Sequence, residues 1–252
     1  MIDIHCHVLH GIDDGSHSLN ESVAMCSTAF DNRVTTIIAT PHLLRYHEAS
    51  ALSERRDARA AELTAVLAKE KILVKILCGF EVYCNEGILN VSDFSGITLN
   101  GSRYMLTEFD FDRENIYGVL KTVNHLLSKG VVPVIAHPER YAFFINDYDA
   151  LNALADKEVL FQLNVGSLVG LYGYEERRLA LTMLQCGYCD ILATDAHSLH
   201  GRSTNMLEII CQTGELLDSH ELKRMTASNP MCIINNEDIQ RGARGHIDYD
   251  LY

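Results

Sequence analysis

His5 and His7 flank Cys6 in the stretch Met1-Ile2-Asp3-Ile4-His5-Cys6-His7, at the end of a short apolar run. Residues two apart in an extended segment point the same way, so both imidazoles reach one metal ion if that run is a strand. Alone, the pair would serve equally well as an ordinary polar strand edge. Asp13 and Asp14 follow between Gly11 and Gly15. There the glycines permit close backbone approach, and the carboxylates suit a divalent ion or a ligand's water, although a solvated turn has the same composition. His42 ends Ala39-Thr40-Pro41-His42, Glu81 follows Gly79-Phe80, and Glu108 follows Thr107. His137 opens His137-Pro138-Glu139-Arg140-Tyr141, while Asp195 and His197 sit in Thr194-Asp195-Ala196-His197. A helix cap or a solvated face explains any one of these. Such accidents explain poorly a set that recurs at the ends of successive apolar runs.

Mixed nitrogen and oxygen donors without cysteine point to Mn, Fe or Zn, and so many donors imply two or three ions bridged by a carboxylate, Glu81 or Asp195. A centre of that kind acidifies water and neutralises charge on phosphoryl oxygens, so phosphate-ester hydrolysis is the reaction class it suits. Arg140 follows His137 closely enough to present its fork to phosphate, and Arg202 is a second candidate. With Asp14, these are the candidate catalytic residues, each weighed against a surface ion pair or turn of the same composition. Tyr141 and Phe80 could wall a pocket, but aromatics near strand ends more often belong to the core.

Competing chemistries fail on spacing. None of the fourteen arginines has a cysteine six positions before it, which excludes a cysteine-nucleophile phosphatase loop. Dinucleotide and nucleotide-phosphate glycine motifs are absent, and Gly166-Ser167-Leu168-Val169-Gly170 lacks the spacing of a nucleophile elbow. Gly166, Gly170 and Gly173 are read instead as shaping a loop beside the pocket. Cys186-Gly187-Tyr188-Cys189 has redox spacing, yet its place between a helix end and a strand favours buried structural thiols.

The elements that must position these residues alternate regularly. Strands are expected at Met1–Ile4, Val34–Ala39, Leu73–Cys78, Arg103–Thr107, Val131–Ile135, Val159–Leu163 and Asp190–Ala193. Helices are expected at Leu19–Asp31, opened by a Ser18/Glu21 capping box, and at Glu48–Lys69, Asn115–Ser128, Asp147–Asp156, Glu175–Gln185 and Thr204–Thr213. Strands apolar throughout and each followed by a helix imply a parallel sheet covered on its outside. The pattern alone fits an open doubly wound sheet or a barrel. Polar residues collected after several different strands favour a barrel with its chemistry at the C-terminal rim.

The 252 residues carry 34 Asp and Glu against 21 Lys and Arg, a net charge of −13 without a basic patch, which argues against nucleic acid as a partner. Hydrophobic content of 47% places the chain among folded globular proteins. Eight irregularly spaced cysteines do not make a disulfide scaffold, and no apolar run is long enough for direct membrane insertion. The N-terminus also lacks the basic stretch and apolar run of a signal peptide, so a cytoplasmic location is expected. No Pro/Gly/Ser-rich linker divides the chain. Residues 1–252 are read as one domain, with 241–252 as a flexible end or closing arm.

Taken together, Met1–His7, Gly11-Ile12-Asp13-Asp14-Gly15 and Ala39–His42 resemble the polymerase-and-histidinol-phosphatase (PHP) superfamily. Ala136–Tyr141, Gly166-Ser167-Leu168 and Thr194–His197 narrow the resemblance to the manganese-dependent protein-tyrosine phosphatases of bacterial capsule and exopolysaccharide gene clusters. It runs from Met1 to about Pro230. The resemblance implies a distorted, TIM-like seven-stranded (β/α)7 barrel of the PHP type, with a cluster of usually three ions at its rim. His5, His7, His42, Glu81, Glu108, His137, Asp195 and His197 would be the ligands, Mn2+ the ion ahead of Fe or Zn, and Arg140 an aid to phosphate binding. The implied substrate is the phosphorylated tyrosine-rich tail of a membrane-associated tyrosine autokinase that controls polysaccharide synthesis. The chain departs from the family pattern at His10, at Leu43-Leu44-Arg45-Tyr46 and at Ser198–Arg202, in loops that would surround the pocket. The alternatives are a small-molecule phosphatase of the histidinol-phosphatase type and a non-catalytic, metal-stabilised regulatory protein. Homo-oligomer formation is left open.

Overall fold

The computed structural model describes residues 1–111, 116–214 and 218–248. Its strands are all parallel: β1 (Ile2–Cys6), β2 (Thr36–Ala39), β3 (His42–Leu43), β4 (Lys75–Cys78), β5 (Glu81–Tyr83), β6 (Tyr104–Glu108), β7 (Val132–Ala136), β8 (Leu160–Asn164) and β9 (Ile191–Ala193). One sheet runs β1-β2-β4 and the other β3-β5-β6-β7-β8-β9. The two are continuous through the chain, because β2 passes into β3 across Thr40-Pro41 and β4 into β5 across Gly79-Phe80. The circle closes where the Asp195 amide donates to the His5 carbonyl and the His7 amide to the Ala196 carbonyl, both at 2.8 Å. The result is a distorted ring of seven strands, two of them interrupted. At the interruptions β4 pairs only with β2 and β3 only with β5, so each keeps one edge outside the ladders of the described residues.

Helices cover the outside: α1 (Leu19–Asp31), α2 (Ala49–Glu70), α3 (Ile116–Ser128), α4 (Ala142–Ile145), α5 (Tyr148–Ala155), α6 (Val165–Leu168), α7 (Tyr174–Gln185), α8 (Met206–Gln212), α9 (Ser219–Lys223) and α10 (Asn229–Asn235). The expected start of the third helix at Asn115 lies outside the described residues. Ser18 caps α1 by accepting from the Glu21 amide, and Glu21 reaches back to the His17 amide, one residue before the cap. Inside the ring Ile4, Ile38, Leu106, Val134, Leu160 and Ile191 pack together, with Ile233 of α10 joining this core. A second apolar layer lies between the strands and the outer helices. Phe80 and Tyr141 are fully buried members of it, and Tyr141 packs edge-on against His137 at 5.8 Å.

Two segments differ from the sequence reading. Residues 165–168, expected as loop, form the single turn α6, in which a Cβ on Gly166 would lie 2.9 Å from a methyl of Leu171. Residues 241–247 of the tail lie away from the rim. Arg241 and Arg244 donate to carbonyls of Lys157, Ala155 and Val159, and Arg244 pairs with the buried Asp190 at 2.5 Å. Ile247 is buried, and its backbone exchanges two 3.0 Å hydrogen bonds with the Asn152 side chain. Val159 and Asp190 precede β8 and β9, so residues 241–247 strap the end of the ring opposite the ligands. Residues 249–252 of the expected tail lie outside the described residues.

Candidate metal centre

Parallel strands put their carboxyl ends on one rim, and the interruptions in β2/β3 and β4/β5 bring His42 and Glu81 into direct register there. Between Asp3 and Cys6 two residues of β1, Ile4 and His5, oppose one of β2, Ile38, a bulge of the kind that re-aims side chains beside sites. His5 lies within the bulge and His7 just past it, and both are fully buried. His137 and Asp195 adopt left-handed backbone conformations (φ 33° and 53°) right after β7 and shortly after β9. Non-glycine residues pay for that geometry, and such strain concentrates at functional sites.

Glu81 is the hub. Its Oε2 lies 3.2 Å from Nε2 of His5, 3.2 Å from Nε2 of His7 and 3.1 Å from Nδ1 of His42, and its Oε1 lies 2.9 Å from Nε2 of His137. Glu108 stands 3.7 Å from both His42 and His137. Asp195 Oδ1 is 3.3 Å from His5, 3.6 Å from His7 and 3.6 Å from His197. Asp14 reaches in from the rim, 3.4 Å from Nε2 of His42 and of His197 alike. Three overlapping groups each bring their donor atoms within 4.8 Å of one another: His5, His7, Glu81 and Asp195; His42, Glu81 and Glu108; and His7, Asp14, His42 and His197. Seven of the eight expected ligands fall in these groups together with Asp14, and the eighth, His137, belongs to none of them but adjoins them through Glu81 and Glu108.

The donor set fits cations on one telling count. Glu81 Oε2, His42 Nδ1 and His197 Nε2 are buried without a hydrogen bond. A buried polar atom left so costs free energy unless an ion or water engages it. The protonation states show how tightly charge is confined. Burial opposes charge on His5, yet Glu81 and Asp195 push it up to about 9. His42, half-buried, is pushed up to about 11 by Asp14 and Glu81 against the desolvation that opposes its charge. Glu108 is raised to about 8 by burial and by the neighbouring Glu81, whereas burial lowers His137 to about 4. Carboxylates crowded this closely repel unless positive charge lies between them.

Several supporting residues escaped the sequence reading. Gln162 Oε1 contacts His5 Nδ1 at 2.7 Å, and Gln162 donates to Asn164, which donates to Asp195 Oδ2 at 2.9 Å. Polar side chains at alternate positions of a buried strand were the available signal. Asp13, singled out with Asp14 in the sequence, contacts His7 Nδ1 through its Oδ2 at 2.7 Å. Asp3 accepts from the Thr194 amide and hydroxyl and from the His5 amide, tying β1 to the segment after β9. Glu139, pushed up to about 7 by burial, accepts from the Asn164 amide and the Ser167 hydroxyl. Contacts of this kind fix the ring that presents its other nitrogen to a metal. Arg140 donates to Asp195 Oδ2 at 3.1 Å, and Arg202 contacts Asp195 through its Nη2 and, at 3.1 Å, through its Nε to the carbonyl. Both arginines therefore reach the cluster.

The sequence pattern of the family described as capsular polysaccharide synthesis, CpsB/CapC, matches residues 1–235. The chain is 32% identical over 245 residues, 96% of its length and 94% of the relative's, to tyrosine-protein phosphatase YwqE of Bacillus subtilis. It is 28% identical over 248 residues to tyrosine-protein phosphatase CpsB of Streptococcus pneumoniae, covering 94% of this chain and 99% of that one. A crystal structure from work on YwqE and CpsB, there called unique metal-dependent tyrosine phosphatases, superposes with a TM-score of 0.85 at 29% identity, covering 98% of this chain and 100% of the other. The phosphotriesterase of Mycobacterium tuberculosis, at a TM-score of 0.56 and 14% identity over 96% and 94% of the two chains, shares the fold alone.

Proposed function

Because the chain belongs to the CpsB/CapC family of capsular polysaccharide synthesis, we infer that it is a metal-dependent protein-tyrosine phosphatase. The observation that carries this reading is Glu81: a buried carboxylate oxygen without a hydrogen bond, ringed by imidazole nitrogens of His5, His7 and His42 at 3.1–3.2 Å. We take residues 1–252 as one catalytic domain acting in the cytoplasm.

His5, His7, His42, Glu81, Glu108, His137, Asp195 and His197 would hold two or three ions, with Mn2+ preferred over Fe and Zn. Asp14 would complete the outermost group with His42 and His197. Divalent cations there supply charge neutralisation on the phosphoryl group and a nucleophile from water at neutral pH. The rest falls to the chain itself. Arg140 and Arg202, both held at Asp195, offer forked donors to the phosphoryl oxygens and place the ester for in-line displacement. Asp195 and Glu81 gather positive charge at the floor of the site, which lets an acidic protein of net charge −13 receive an anionic ester. The substrate is phosphotyrosine, on the tail of a membrane-associated tyrosine autokinase that controls polysaccharide export.

The test is phosphate release from a tyrosine-phosphorylated peptide and from histidinol phosphate, after chelation and reloading with Mn, Fe or Zn in turn, beside a His5→Ala/His7→Ala control. Metal-dependent, peptide-selective release that vanishes in the control supports the reading. Release from histidinol phosphate alone replaces it with a small-molecule phosphatase, and release from neither replaces it with a regulatory role.

A further inference from the structure

Resting on the reading of Arg140 as a phosphate-binding group, we propose that Tyr172 is a positioning residue that acts through Arg140. A side chain this long loses several rotors when it engages phosphate, so what holds its guanidinium matters. The bond to Asp195 fixes one nitrogen, Nη1. The plane of the group is set by two rings: its Cζ lies 4.5 Å from the centroid of Tyr172 and 4.8 Å from that of Phe111. Both rings are themselves anchored to the cluster. Phe111 stacks on His137 at 5.5 Å and 19°. The Tyr172 hydroxyl accepts from Asn164 Nδ2 at 3.3 Å, and that nitrogen also donates to Asp195.

Tyr172 thus closes a loop of contacts, Asn164 to Asp195 to Arg140 to its own ring, and holds the guanidinium before a substrate arrives. Cation–π contact with partly buried rings is strong enough to bias the rotamer of an arginine that keeps one edge open to solvent. The contacts of Tyr172 that bear on this role are with Asn164 and the Arg140 guanidinium, so it acts on the phosphate through Arg140. It lies in the segment between α6 and α7, where the glycines at 170 and 173 adopt positive φ (83° and 139°) and turn the chain back toward the rim.

The experiment is a double-mutant cycle on metal-loaded enzyme, read as kcat and KM on p-nitrophenyl phosphate and as affinity for inorganic phosphate by calorimetry. Tyr172→Leu is expected to lower kcat/KM and phosphate affinity about tenfold. Tyr172→Phe, which keeps the ring, should recover to within about threefold of wild type. In an Arg140→Ala background, Tyr172→Leu should cost nothing further. Equal losses in both backgrounds, or full activity and phosphate affinity in Tyr172→Leu, would overturn the inference. If the wild type releases no phosphate, the enzymatic reading fails, and the same cycle read as phosphate affinity still decides the role of Tyr172.

Discussion

Asp13 Oδ2 sits 2.7 Å from Nδ1 of His7 and leaves the other ring nitrogen facing Glu81. The same oxygen accepts from the His42 amide at 3.0 Å, so one carboxylate aligns donors from two strands. Asp13→Ala should therefore weaken metal binding by about 10- to 100-fold without removing any donor atom. Competition with a chelator of known affinity measures it, and an unchanged affinity would show that His7 needs no orienting partner.

Gly15 gives the same alignment a steric basis. A Cβ there would lie 2.2 Å from the His7 carbonyl oxygen and 2.5 Å from the His7 Cβ. Gly15→Ala must push the ligand strand aside, at about 1–3 kcal/mol of stability. Metal affinity should fall with it; denaturant midpoints and metal content together test the pairing.

Metal removal should be felt by the whole fold, since the donors join most strands of the ring. With free ion at about 100 times Kd, binding adds about 2.7 kcal/mol, or roughly 5–10 °C in Tm for a chain of this size. Thermal melts before and after chelation, with Mn2+ restored, read this directly. Identical melts would mean that no tight site links these strands.

The Arg244–Asp190 pair predicts a pH dependence far from the rim. Burial raises the Asp190 pKa above its ordinary 3.8, against the pull of Arg244. The unfolded chain releases that proton near 3.8 and the folded chain releases it later, so this group's contribution to stability falls as pH climbs through the folded value. Removing Arg244 widens the window. Arg244→Ala should cost about 3–5 kcal/mol near neutral pH and less at pH 4, while Asp190→Asn/Arg244→Ala should show a flatter profile. Urea midpoints across pH 4–8 would contradict this if the single variant's penalty stayed constant.

Much of this was legible because a buried parallel strand followed by a helix is a strong pattern, and because ligands at strand ends stand out by type. The two short strands β3 and β5 were not. Thr40-Pro41 and Gly79-Phe80 break the extended runs, and two or three residues carry no periodicity to read. Gln162 hid inside an apolar strand, since its partner, His5, lies 157 positions away. Tyr172 gave no signal at all: its neighbours Arg140 and Asn164 come from other segments, and only the closed ring brings the three together. The tail arginines looked like a loose end because most of their acceptors are backbone carbonyls, which any sequence supplies, and the one carboxylate, Asp190, lies 54 positions from Arg244.

The closure between β1 and the segment after β9 also sets a timetable. His5 is among the first residues made and Asp195 comes about 190 residues later, yet the amide of one bonds the carbonyl of the other. At roughly 5–20 residues per second of synthesis, the first donors wait on the order of ten to forty seconds for the last. With the proposed ligands, a nascent chain would hold only a partial, weak claim on any ion during that interval, and full metal capture would have to await the segment that follows the final strand.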